Sequence, residues 1–153
     1  MREYHYTVDP EGRILHDGTE IVDPATLRFF LRALKRTPDG RWLVVCQDEH
    51  NWFETPDTPF VVQRLRLDLE GSHVCAIALC FAGDLLEPLD PATLEAESGI
   101  LFCRIRDGAF RARFGRLAIQ QVGPYLTEPE GAPALIIHGR AYPIAELTAA
   151  GRS

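Results

Sequence analysis

Hydrophobic residues recur mostly at every second position, the period of a strand with one buried face. Tyr4 to Val8 alternates in this way. Asp9-Pro10-Glu11-Gly12 then turns the chain, with proline setting φ and glycine accepting positive φ. Ile14 to His16, the two-residue turn Asp17-Gly18 and Thr19 to Val22 read as a hairpin. The period changes once. Leu27, Phe30, Leu31 and Leu34 fall at i, i+3, i+4 and i+7, one stripe of an amphipathic helix. Asp23 stands as its N-cap, Pro24 as its first residue and Thr37-Pro38-Asp39-Gly40 as its stop. The helix is therefore predicted over residues 23–36, with Lys35 and Arg36 at the negative end of its dipole.

Arg41 to Gln47 is a strand around Trp42-Leu43-Val44-Val45, followed by a polar turn from Asp48 to Asn51 and a return over Trp52 to Glu54. Thr55-Pro56-Asp57-Thr58-Pro59 is irregular, since prolines remove ladder donors. Phe60 to Asp68 and Ser72 to Phe81 are longer strands, the second apolar enough to lie centrally. Gly83, Pro88 and Pro91 punctuate the next stretch, which divides the chain into halves 1–83 and 84–153 sharing one compact unit. Asp90-Pro91-Ala92-Thr93-Leu94 repeats Asp23-Pro24-Ala25-Thr26-Leu27 letter for letter. One helix-start solution used twice accounts for this match, and five residues with no support around them do not establish a duplication. Gly99 to Arg106 and Ala109 to Phe114, joined by Asp107-Gly108, form the clearest hairpin. Leu117 to Val122 is a helical turn, Ala134 to Ile137 and Arg140 to Ile144 a last hairpin, and Ala149 to Ser153 a fraying tail. About nine or ten short strands with two or three helices make the class α+β, mostly antiparallel.

Composition narrows the role. The 153 residues are 46% hydrophobic and 25% charged, ordinary for a globular domain. The net charge of −6 argues against nucleic acid as a partner. The longest apolar run, Val74 to Ala82, is too short to cross a bilayer, and residues 1–8 lack the apolar core of a secretory signal. Cys46, Cys75, Cys80 and Cys103 are scattered and form no C-x-x-C pair, which points to buried, inert thiols in a reducing cytoplasm. Lys35 is the only lysine among 16 basic residues, a bias typical of GC-rich bacterial genomes.

Two clusters carry candidate chemistry. In the 99–114 hairpin the Asp107-Gly108 turn opposes Ile105 to Phe110 and Arg104 to Arg111. One face then presents Leu101, Cys103, Ile105, Phe110, Ala112 and Phe114 to the core. The other carries Phe102 with Arg104, Arg106, Arg111 and Arg113. Like charges directly opposite cost about 0.2–1 kcal/mol, so compensation is expected. It comes from acids such as Glu95, Glu97, Glu128 or Glu130, from solvent and salt, or from an anionic ligand or acidic protein surface held in two-pronged geometry.

The second cluster is Cys46-Gln47-Asp48-Glu49-His50-Asn51. On a continuous strand Cys46, Asp48 and His50 share a face, as zinc ligands or as a thiol nucleophile with its base. That spacing is awkward for a tetrahedral site, and a solvated turn above a buried thiol accounts for it equally well. His16, beside Asp17-Gly18, is either a hydrogen-bonded structural residue or part of a polar site. No metal or cofactor is assigned. Phosphate-loop, dinucleotide, zinc-protease and nucleophile-elbow motifs are absent.

Three pieces together resemble a bacterial family known as domain of unknown function 1285. They are His16-Asp17-Gly18-Thr19-Glu20-Ile21, the stripe from Leu27 to Leu34 followed by Asp39-Gly40 and a strand, and Asp57-Thr58-Pro59-Phe60-Val61-Val62. The likeness is strongest over residues 10–65. At Cys46-Gln47-Asp48-Glu49 only Glu49 fits the Thr-Pro-x-Glu pattern of the family. The resemblance implies curled, β-roll-like sheets in two closely joined β-rich halves, maps recurrent polar residues to His16, Asp17, Glu49 and Asp57, and implies no activity. The expectation is a non-enzymatic cytoplasmic binding or adaptor domain that reads an anionic small molecule or acidic protein surface. The alternatives are a small hydrolase built on Cys46 to His50, or a structural subunit of a homodimer.

Overall fold

The computed structural model describes residues 1–147; the tail expected to fray lies outside them. The class is α+β: two helices, α1 over Pro24–Ala33 and α2 over Arg116–Val122, stand against seventeen strand segments among the described residues, many of them only two or three residues long. The strands form sheets of six, three, five and three, paired mostly antiparallel. No helix among them is long and apolar enough to cross a membrane.

Strand order reveals an internal repeat that the five matching residues alone did not establish. In the first unit Arg2–Val8, Ile14–His16 and Thr19–Glu20 form an antiparallel meander. Helix α1 follows, then Lys35–Arg36, Trp42–Cys46 and Glu49–Glu54, again antiparallel. Glu49–Glu54 closes the unit by pairing parallel to Arg2–Val8. The second unit repeats the path. Val61–Val62 continues into Arg64–Glu70, which meanders through His73–Phe81 and Leu85–Pro88. A 3-10 turn over Pro91–Thr93 leads to Glu95–Glu97, Ile100–Ile105 and Phe110–Phe114, and the last strand closes parallel onto Val61–Val62. The two Asp-Pro-Ala-Thr-Leu copies thus occupy equivalent places. Asp23 accepts from the backbone and hydroxyl of Thr26 and opens ten helical residues; Asp90 accepts from the Ala92 amide and opens three. A division at 83/84 cuts through the second unit, because the Gly/Pro-rich stretch that suggested it is the unit's own turn and cap.

Helix α1 is shorter than the predicted 23–36. Leu34 turns extended (ψ 131°), and Lys35 and Arg36 pair with Leu43 and Trp42 instead of capping the helix, so Arg32 is the basic residue of its last turn. The apolar stripe holds: Leu27, Phe30, Leu31 and Leu34 are all buried. His73–Phe81 lies at the centre of its three-stranded sheet, as its apolar content predicts. The strand of Glu49–Glu54 starts earlier than expected, because a tight turn at Gln47 (φ 53°) and Asp48 replaces the polar turn over residues 48–51. One hydrophobic cluster runs from Val8 to Ile144 and draws on both units and on the last three-stranded sheet.

Gly83 couples the units. Its φ is +73°, and a Cβ there would lie 2.8 Å from the Pro24 carbonyl oxygen and 2.9 Å from the Leu27 Cβ. Gly99 has the same handedness (φ +78°) with open space around it. Gly99→Ala is expected to lose about 1 kcal/mol from its backbone alone. Gly83→Ala should lose at least about 2 kcal/mol, because backbone oxygen cannot give way. Urea denaturation of the two variants checks the order.

Candidate functional site

The arginine hairpin has the expected register: Ile105 opposes Phe110, Arg104 opposes Arg111 and Phe102 opposes Arg113. Leu101, Cys103, Ile105, Ala112 and Phe114 are buried, as the pleat requires. The outer face is not the uniform cationic surface expected. Arg106 takes a positive φ (53°) and leaves the pleat, lying 5.1 Å from the Phe60 ring centroid and 5.6 Å from that of Phe110. It donates from Nε and Nη2 to the Glu87 carboxylate at 3.2 and 3.0 Å. Arg111 lies 3.5 Å over the Phe102 ring and donates to Glu95 at 2.9 Å and to Glu97 at 2.8 Å. Arg113 donates to Asp57 Oδ2 at 2.7 Å. Three of the four expected ligand-binding arginines are therefore neutralised from within the chain. Arg104 is exposed and pairs with no carboxylate among the described residues.

Asp57 gains its position from a folded loop. Its Oδ1 accepts from the Thr58 amide, and the Thr58 hydroxyl donates to the Arg111 carbonyl at 2.7 Å. The Arg113 amide donates to the Phe60 carbonyl at 2.9 Å. Asp57-Thr58-Pro59-Phe60 thus fastens the second hairpin to the end of the first, and a groove lies along the join.

The groove comprises two adjoining cavities. One, about 480 Å³, is lined by Arg36, Arg41, Trp42, Trp52, Glu54 and Asp57, among others. The other, about 240 Å³, adds Arg104, Phe110 and Arg111, and shares Arg36, Trp42 and Asp57 with the first. Arg36 stands 5.2 Å from the Trp42 ring centroid and Arg41 3.7 Å from that of Trp52. Both residues are exposed and, like Arg104, have no carboxylate in ion-pair reach among the described residues. Guanidinium over indole is a cation–π contact that holds the side chain without neutralising it. The sequence reading missed Arg36, Arg41 and both tryptophans here: Arg36 looked like a helix end and the tryptophans like core. Only the adjacency Arg41-Trp42 hinted at the groove.

The second cluster does not assemble. Cys46 opposes Glu49 and His50 opposes Val45 across the hairpin, so Cys46 and His50 lie on opposite faces, and Asp48 sits in the turn between the strands. The shared face required an unbroken strand, which the Gln47 turn interrupts. No group of three or more His, Cys, Asp or Glu could hold a metal among the described residues. Asp17 occupies a hairpin turn at φ 51°, 90% exposed, with its carboxylate 3.7 Å from His16 Nε2. The His16 ring packs against Tyr6 at 5.0 Å between centroids. Burial first, and then the charge of Glu49, pushes the Tyr6 hydroxyl above its usual range. Of the mapped polar residues only Asp57 reaches the groove.

No family model and no curated protein matches the chain. Among solved structures, a DUF1285 family protein from Silicibacter pomeroyi DSS-3 is similar over 94% of this chain and 82% of its own, with a TM-score of 0.67 at 18% identity. A DUF1285 family protein from Shewanella baltica OS155 is similar over 72% of this chain and 84% of its own, with a TM-score of 0.53 at 13% identity. The fold is DUF1285-like, as the three motifs implied.

Two predictions follow from this geometry. A double-mutant cycle on Asp57→Asn and Arg113→Gln should give a coupling of about 1–2 kcal/mol, above that of an exposed pair, because both side chains are three-quarters or more buried. Urea titration of the four proteins measures it. Burial pushes the Cys103 thiol up to about 12. Its raised value favours the folded state below the ordinary thiol range, and that contribution is lost as pH rises toward 12. Aromatic disulfide reagents at pH 8 should label Cys46 and Cys75, which are half-buried and not buried as expected, and leave Cys80 and Cys103 untouched until the protein unfolds.

Proposed function

We propose that this protein is a non-enzymatic, cytoplasmic bacterial binding domain that holds an anionic small molecule in the groove between its two hairpins. The observation that carries the reading is the contrast among arginines. Arg106, Arg111 and Arg113 are each paired with a carboxylate, whereas Arg36, Arg41 and Arg104, from separate strands and a loop, converge without a salt bridge on two adjoining cavities. Unpaired guanidinium groups in a concave site suit phosphate or carboxylate. Four free cysteines support a reducing compartment. The hydrolase alternative has no support from geometry, since its thiol and imidazole face apart.

The test is thermal melting of the wild type and of the Arg36→Gln/Arg104→Gln double variant across a panel of phosphates and carboxylates. At a hundred times Kd a ligand stabilises by about 2.7 kcal/mol, a shift of several degrees for this size. The wild type should show such a rise with at least one anion and the double variant should not. Equal behaviour of the two proteins across the panel would dismiss the groove as the site.

A further inference from the structure

The charge of the groove is not uniform, and this asymmetry deepens the reading above, on which it rests. Arg41 and Trp52 form a stacked platform, with the guanidinium carbon 3.7 Å from the ring centroid. Glu54 lies two residues beyond Trp52 on the same strand, hence on the same face, and lines the same cavity. It is exposed and has no hydrogen-bond or ion-pair partner among the described residues. A bare phosphate or carboxylate seated on the platform would meet the Glu54 carboxylate as a like charge. A planar ring that stacks on the guanidinium and offers N–H donors would instead satisfy it. At the other end Arg36 and Arg104 line the adjoining cavity. The groove therefore asks for a two-ended ligand: a flat, hydrogen-donating ring at one end and an anion at the other. Its cavities, about 480 and 240 Å³, are of the size that takes a ligand of a few tens of atoms. The net charge of −6 disfavours a long polyanion.

We infer that the groove binds a nucleoside monophosphate whose base bears an exocyclic amino group. The base stacks on Arg41 and Trp52, the amino group donates to Glu54, and the phosphate lies between Arg36 and Arg104. The guanidinium–indole stack supplies affinity that is tolerant of base identity. Glu54 supplies the selection, because a base with no N–H donor on its edge leaves the carboxylate unpaired.

The full chain should be titrated with adenosine monophosphate, purine riboside monophosphate (no N–H donor on the base), adenosine and inorganic phosphate, following tryptophan fluorescence and melting temperature. Adenosine monophosphate should quench Trp52 and bind about tenfold or more tighter than each of the other three. Glu54→Leu, which removes the acceptor, should erase the preference over purine riboside monophosphate while phosphate affinity stays or rises. Arg104→Gln should bring adenosine monophosphate down to the affinity of adenosine. Trp52→Leu should abolish the quench and leave inorganic phosphate binding unchanged. Both Glu54 and Arg104 are exposed, and melting without ligand confirms that these variants fold. If inorganic phosphate or a simple carboxylate binds as tightly as the nucleotide, the ligand class is wrong and the anion groove stands. If no anion binds at all, both readings fall.

Discussion

Four arginines in one short hairpin set the constraint on which the second half of the molecule depends. Arg104 and Arg111 are directly opposed, and Arg113 stands beside them on the same face. Left to solvent, their mutual repulsion works against the hairpin. The chain answers by bringing a different segment to each of three: Glu87 from the three-stranded sheet, Glu95 and Glu97 from the adjacent strand, and Asp57 from the loop leaving the first unit. Each pair gains only modestly in free energy, and buried apolar area decides overall stability. Placement is the larger consequence. The acid that neutralises Arg113 also positions the loop that joins the two units, and the groove exists because that loop is held there.

The repeat explains why a groove forms at this join. Each unit ends in an antiparallel hairpin whose second strand closes parallel on the unit's first strand. The hairpin of Trp42–Cys46 and Glu49–Glu54 is the counterpart of Ile100–Ile105 and Phe110–Phe114. Aromatic contacts stitch the two together, with Trp42, Phe60 and Phe110 in a continuous set of ring contacts between 4.8 and 5.8 Å. The polar ends of both hairpins are left around the rim of that aromatic seam. Arg36 and Arg41 come from the first unit, Arg104 from the second, and none forms a salt bridge among the described residues.

Much of the fold was legible because local chemistry and tertiary structure agree. The Leu27 to Leu34 stripe, the Asp23 cap, the Asp17-Gly18 and Asp107-Gly108 turns and the central strand to Phe81 each carry their cause within a few residues. The errors lie where distant pairing overrides local preference. Lys35 and Arg36 have helical neighbours, yet they form an edge strand because Leu43 and Trp42 offer backbone partners. Arg106 follows the alternation on paper but leaves it at the turn. Of the site, the sequence showed the arginine hairpin and flagged Asp57, and it named Glu95 and Glu97 among the acids that could balance the charge. It could not show which guanidinium groups would find acids, since that depends on contacts up to 56 residues apart. For the same reason the Cys46 to His50 cluster, compelling as a string of reactive residues, dissolves once one tight turn places its members on opposite faces.

A site whose selectivity lies in leaving some arginines unpaired should reveal itself in those arginines individually. Arginine Nε–Hε resonances of the full chain, followed by NMR during titration with inorganic phosphate, read each guanidinium separately. The account predicts movement at Arg36 and Arg104, with Arg106, Arg111 and Arg113 held in place by their carboxylates. Movement at the paired arginines with Arg36 and Arg104 still, or no movement at any of them, would contradict it.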